Sequence, residues 1–376
     1  MDTATLPAIF DGHNDLLLKL YLGEASVDQV RDGGGTTHID LPRARQGGFG
    51  GGMFAIYTPD PPAAKPDLNA MSGAQYDLPL PDAIDPDEAL RAALAQAALL
   101  LQLERTGSVV ICRTAGEIES ALDGPLMAAV LHLEGADCID GDLDALHVLH
   151  AAGLRSLGPV WSRRTRWAEG VPFRFPSTGD TGPGLTEDGK RLIRECNRLK
   201  IAVDLSHLNE KGFDDVAALT DAPLIATHSN ANAICPHARN LTDRQLDMIA
   251  ASGGMVGVNF ATAFLRPDGQ MRPDCDLDVV IRHFDHLLER LGEDGVGFGS
   301  DFDGATVPQM IQDVAGLTKM RAAMVAAGYD EPLMRKLCQE NWIDVLDRTW
   351  SGTGKVRIAR DQRTRHAATA GALSHA

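Results

Sequence analysis

Five residues in this sequence have the types and positions that metal chemistry needs: His13, Asp15, Glu134, His207 and His228. Each stands at the end of a short apolar run. AIFDGH (8–13) leads into Asn14-Asp15, MAAVLHLE (127–134) ends in Glu134, IAVDLSH (201–207) in His207 and PLIATH (223–228) in His228. A further run, GVGFGSD (295–301), ends in Asp301. With a strand period of two, His13 and Asp15 point to the same face. Neutral imidazoles mixed with carboxylates make a borderline donor set, suited to zinc, cobalt or manganese. A glutamate between two ions can bridge them and hold them roughly 3.5–4 Å apart. A single histidine at a strand end is most often a hydrogen-bonded structural residue, and HxD alone is weak. Five or six such endings on separate runs are not independent accidents. His132 alternates with Glu134 and should face a similar side. His147 and His150 fall in a helical stretch, and His38, His237, His283, His286, His366 and His375 have no strand-end setting.

The elements that must position these residues alternate along the chain. Residues 51–58, 154–161 and 254–260 also read as strands, and 108–112 (SVVIC) looks extended. Helical patterns over 87–105, 186–200, 210–220, 242–252 and 276–291 lie between several of them, and 331–349 follows the last strand. Thr186, Asn209 and Thr242 sit where helix N-caps belong. Repeated strand–helix alternation means βαβ units and a parallel sheet. Eight such strands imply an α/β fold closed as a TIM-type (β/α)8 barrel, in which all strand C-termini gather at one mouth. Nine candidates compete for eight places; 108–112 is set aside because no polar residue closes it. The Pro-, Gly- and Asp-rich segments 59–86 and 162–185 should shape the mouth. Residues 1–350 read as one barrel domain and 351–376 as a polar tail.

Bulk properties exclude several classes. The net charge is −17, with 52 acidic against 35 basic residues. That argues against nucleic acid, which is usually met by a basic surface. Six cysteines occur without a CxxC pair, which implies free thiols in a reducing compartment. The N-terminus has neither the basic nor the apolar region of a signal peptide, and no stretch reaches the roughly 18 apolar residues of a membrane span. A soluble, cytoplasmic protein with no membrane partner is expected.

At these same residues the sequence resembles the membrane (renal) dipeptidase family, the M19 peptidases of the amidohydrolase superfamily. The matching segments are DGHNDLLL (11–18), LEGADCI (133–139), DLSHLNE (204–210), ATHSNANAICPHARNLTD (226–243), GGMVGVNF (253–260), GSDFDG (299–304) and ENWIDVL (340–346). Together they span roughly residues 8–350. The resemblance implies that His13 and Asp15 bind one zinc ion, that Glu134 bridges two, and that His207 and His228 bind the second. It matches Arg239, in PHARN, to the arginine that binds the substrate carboxylate, and Asp301 to the acid/base aspartate. Two residues depart from the mammalian-type pattern. Trp161 stands where those members carry a substrate-contacting His, and Ala261 where they carry a Tyr, so substrate preference cannot be copied across.

The activity this implies is hydrolysis of L-Xaa-L-Xaa or L-Xaa-D-Xaa dipeptides, by attack of a hydroxide bridging two divalent ions, zinc by family analogy. The same analogy suggests a homodimer. Two rivals remain. An N-acyl-amino-acid deacylase or lactonase would share the metals and differ in substrate. A catalytically silent metal-binding protein would need neither Asp301 nor Arg239.

Overall fold

The computed structural model describes residues 7–61 and 66–354. Eight parallel strands form a closed ring: β1 (Ile9–Asn14), β2 (Phe49–Tyr57), β5 (Met127–Glu134), β6 (Leu154–Gly158), β8 (Ala202–Val203), β9 (Ile225–Ser229), β10 (Met255–Val258) and β11 (Val296–Phe298). Strands β1 and β11 pair directly, and a parallel bridge from Asp204 to Ile225 joins β8 to β9. The (β/α)8 barrel read from the sequence is therefore present. The ninth candidate also forms, as β4 (Val109–Ile111), but it pairs only with Met127–Ala129 at the start of β5. Farther along, β6 takes over that edge of β5, so β4 lies outside the ring.

Strand β5 shows how sequence alternation places side chains. Met127, Ala129, Leu131 and Leu133 join the core between barrel and helices, while Ala128 and Val130 join the cluster inside the barrel. The inward face then continues through His132 to Glu134, all of it buried. Period-two geometry thus converts one apolar run into a floor and a polar layer above it. Trp342, from helix Asn341–Ser351, fills the floor and donates from Nε1 to the Phe298 carbonyl at 2.9 Å. Near that level the barrel is narrow. A Cβ on Gly12, Gly257 or Gly299 would come within 2.1–2.3 Å of the Thr227 carbonyl oxygen, so only glycine lets these three strands close on it.

Helices start where short polar residues satisfy free N–H groups. The Thr186 hydroxyl accepts from Gly189 N, Asn209 accepts from Gly212 N, and Gln245 reaches back to Thr242 N. The segment 331–349 is interrupted: Glu331–Arg335 is α-helical, Lys336–Glu340 widens into a π-turn, and Asn341–Ser351 resumes the α-helix.

The two long loops meet above the mouth. Within them β3 (Tyr76–Asp77) and β7 (Arg174–Phe175) form an antiparallel pair. Met71, Tyr76, Leu78, Phe173 and Phe175 pack there with Cys235 and Phe264 as a separate apolar cluster. All six cysteines are free and buried. Among the described residues no helix is long and apolar enough to cross a membrane. The tail expected over 351–376 lies outside the described residues from 355 on.

Candidate metal centre

The barrel brings His13, Asp15, Glu134, His207 and His228 to one point. Glu134 Oε1 lies 3.1 Å from His207 Nε2, 3.4 Å from His228 Nε2 and 3.7 Å from His13 Nε2. The two imidazole nitrogens of His207 and His228 are 3.1 Å apart, and His13 Nε2 is 3.5 Å from Asp15 Oδ2. The rings of His13 and His228 stack with centroids 3.8 Å apart. Three overlapping groups could each hold an ion: His13, Asp15 and Glu134; Glu134, His207 and His228; and His13, His228 and Asp301. Glu134 is common to the first two, the position of a bridge.

Local backbone geometry aims two of these side chains. His207 and Asp301 follow their strands in the left-handed region, with φ of 67° and 60°. That conformation is uncommon outside glycine, though Asp and His adopt it more readily than most. Such strain persists where surrounding structure over-determines it, and functional sites are where it concentrates.

Burial and charge fit the same reading. Burial pushes Glu134 well above the usual carboxylate range and raises Asp301 as well. It drives His207 and His228 well below their ordinary value, towards the neutral form that can donate a lone pair. Burial also opposes charge on His13, but Glu134, Asp15 and Asp301 together outweigh it and push the ring up to about 10. Both ring nitrogens of His13 and Oδ1 of Asp15 are buried without a hydrogen-bond partner among the described residues. Leaving such atoms unpaired costs about 1–3 kcal/mol each. Divalent cations fit this donor set: they would satisfy the orphaned atoms and offset the crowded carboxylates.

Around the centre, Asn259 Nδ2 donates to Asp301 Oδ2 at 3.0 Å. Arg239 is buried. Its Nη2 donates to the His228 carbonyl at 3.0 Å, its Nη1 reaches Ser229 Oγ at 3.4 Å, and its Nε has no partner among the described residues. Burial lowers Arg239 to about 10, opposed by Asp301 and Glu134, so it stays charged at neutral pH. Trp161 is half-buried and stands three residues beyond the end of β6 rather than within the strand. Its ring meets Tyr57, Phe173 and His207 at centroid distances of 5.2, 5.5 and 5.9 Å. Ala261 is buried under the roof cluster.

Several participants escape a search for ligand types. Asn259 follows directly on the end of β10, where the strand-end rule looks, but asparagine is a poor metal ligand. Ser162 Oγ lies 2.8 Å from His207 Nδ1. Arg163, fully buried, donates to Asp60 at 2.9 Å and Asp137 at 3.4 Å, with its guanidinium 5.3 Å from the Trp161 ring. It ties both long loops to the loop after Glu134. Of the other histidines, His283 is a structural core residue: Nδ1 accepts from Ala231 N and Nε2 faces the Leu265 carbonyl.

The model of the membrane dipeptidase family (peptidase family M19) matches residues 4–353. The chain is 57% identical to a metallo peptidase from Rhodobacter sphaeroides whose crystal structure holds a phosphinate mimic of the dipeptide L-Ala-D-Ala. That match covers 92% of this chain and all of the other, with a TM-score of 0.89. A second crystal structure, of the M19 metallo peptidase called dipeptidase AC, is also 57% identical, with a TM-score of 0.89 over 92% of this chain and 99% of that one. An uncharacterized protein from the pqqA 5′ region of Klebsiella pneumoniae is 47% identical over 257 residues, covering 68% of this chain and 95% of its own length.

Proposed function

This chain belongs to the membrane dipeptidase family, peptidase family M19, and from that membership and the geometry of the mouth we propose that it is a dizinc enzyme cleaving short dipeptides with a free C-terminal carboxylate. One observation carries the reading: buried donors from distant strands converge on Glu134, and His13 and Asp15 among them have atoms that none of the described residues satisfies. His13 and Asp15 would hold one ion, His207 and His228 the other, with Glu134 shared. Similarity to a peptidase holding an L-Ala-D-Ala mimic supports the substrate class. We take residues 1–350 as one catalytic domain.

Ions bound there supply a Lewis acid for the scissile carbonyl and lower the pKa of water from 15.7 towards neutrality. The chain's own residues do the rest. Asp301, held by Asn259, accepts the proton lost as water attacks the carbonyl and passes it to the leaving amine nitrogen. Arg239 presents a charged fork with an unused N–H to the terminal carboxylate. Trp161, Tyr57 and Phe173 form an apolar wall for the other end of the substrate. The joined loops above limit length to two residues.

The test is hydrolysis of L-Ala-D-Ala, L-Ala-L-Ala and a tetrapeptide by chelator-stripped and zinc-restored protein. Zinc-dependent cleavage of the dipeptides alone is expected. Preference for the tetrapeptide, or turnover of N-acyl amino acids or lactones in place of dipeptides, rejects the reading.

A further inference from the structure

We propose that Asp204, acting through the hydroxyl of Thr227, is a positioning residue that fixes His228 as its Nδ1–H tautomer and so leaves Nε2 free to bind metal. The inference rests on His228 being a ligand, and adds what makes it one.

Asp204 is buried at the end of β8, beneath the metal centre. Its Oδ1 accepts from Ser206 N at 3.0 Å and from Thr227 N at 2.8 Å. Its Oδ2 accepts from the Thr227 hydroxyl at 2.6 Å. On its other side Thr227 Oγ1 lies 2.8 Å from His228 Nδ1. A hydroxyl has one proton to give and lone pairs to receive with. The carboxylate takes that proton, as the short distance of a charge-assisted bond implies. Oγ1 can then only accept from His228, which puts the imidazole proton on Nδ1. In a neutral ring Nε2 is left bare, aimed at Glu134 Oε1 and His207 Nε2.

The relay cannot slip, because Thr227 cannot move. Its carbonyl is enclosed by the bare Cα atoms of Gly12, Gly257 and Gly299. Its amide is bound to the same carboxylate that holds its hydroxyl. His132 also faces Asp204, with Nε2 at 3.6 Å from Oδ2 and Nδ1 at 2.9 Å from Ser156 Oγ, and the Arg239 charge acts on the same carboxylate. A carboxylate behind a ligating histidine commonly sets its tautomer, and loss of such a partner typically costs 10–100-fold in metal affinity. Here the contact is indirect, with a threonine between.

Asp204→Asn makes a sharp test. The amide oxygen should stay with the two backbone N–H donors, so the NH2 group faces Thr227 Oγ1. Thr227 must then turn its proton to His228 Nδ1, and the imidazole proton moves to Nε2. We would record two-bond 1H–15N spectra of chelator-stripped, 15N-histidine-labelled protein, assign His228 by its loss in His228→Gln, and titrate zinc against a competing chelator. Wild type and Thr227→Ser should show the Nδ1–H tautomer and equal zinc affinity. Asp204→Asn should show the Nε2–H tautomer, and it and Thr227→Val should bind zinc about 10–100-fold more weakly. Thermal melts of the metal-free variants separate this from unfolding, and the serine variant serves as the hydroxyl-retaining control. If zinc shifts His228 in wild type but Asp204→Asn keeps the Nδ1–H form and wild-type affinity, the relay is refuted while the metal site stands. If zinc leaves His228 unshifted, His228 is no ligand and both readings fall.

Discussion

Replacing Arg239 by methionine should abolish discrimination between a dipeptide and its C-terminal amide. The guanidinium is buried, its contacts to the His228 carbonyl and Ser229 are one-sided, and Nε has no acceptor among the described residues. A substrate carboxylate docking there would pair with a desolvated cation. Truncating one member of such a pair costs about 2–5 kcal/mol, much of it from the charge left unpaired. At 1.4 kcal/mol per decade this is roughly 30- to 4,000-fold in kcat/KM. Wild-type enzyme should therefore prefer L-Ala-D-Ala over its amide by a factor in that range. In Arg239→Met the free acid should lose that factor, the amide should lose much less, and the ratio should collapse towards one. Metal content, measured in parallel, should not change. The cycle isolates the pairwise contact from general damage, because damage lowers both substrates alike. A ratio that survives the substitution removes Arg239 from carboxylate recognition.

Three other outcomes are expected. Asp301→Asn should lower turnover by roughly 10²–10⁴-fold with metal content intact; near-wild-type turnover would assign the proton to another group, and loss of an ion would make Asp301 a ligand beside His13 and His228. Emission spectroscopy of the reconstituted protein should return two divalent ions per chain, whereas saturation at one would remove the bridging role of Glu134. His283 gives a pH test away from the metal. Burial lowers its pKa from 6.5 to about 4, so its contribution is fully present above pH 6.5 and is lost as pH falls towards 4. The loss is worth roughly 3 kcal/mol. The stability gap between wild type and His283→Gln in urea should narrow by that amount between pH 7 and 4; a constant gap would show that His283 protonates in the folded protein as readily as in the unfolded chain.

The candidate metal cluster was legible because barrels concentrate strand ends at one mouth, so a polar residue closing an apolar run carries positional information. His13, Glu134, His207 and His228 obey that rule directly. Arg239 does not: it stands in a turn after β9, and only motif resemblance singles it out. Thr227 and Asp204 were invisible for a different reason. Each is an ordinary polar residue in its own segment, and their importance arises from a pairing 23 positions apart that the barrel creates. The short helices Leu16–Tyr21, Val27–Asp32 and Leu41–Gly47 went unread because six or seven residues offer less than two turns of periodicity. β4 was rightly kept out of the eight: it forms, as the apolar run suggests, but pairs only at the start of β5, and no polar residue closes it at the mouth.

The pairing of β3 with β7 has a kinetic consequence. Two loops that could have swung independently are sewn along Tyr76–Phe175 and Asp77–Arg174, and share one apolar lining. They therefore behave as a single door. Any opening that admits a ligand must lift both loops together and uncover Phe264 and Cys235. A change at Asp77 or Arg174, whose side chains lie 2.8 Å apart on the outer surface, should be felt as a change in residence time inside, with the candidate metal ligands untouched.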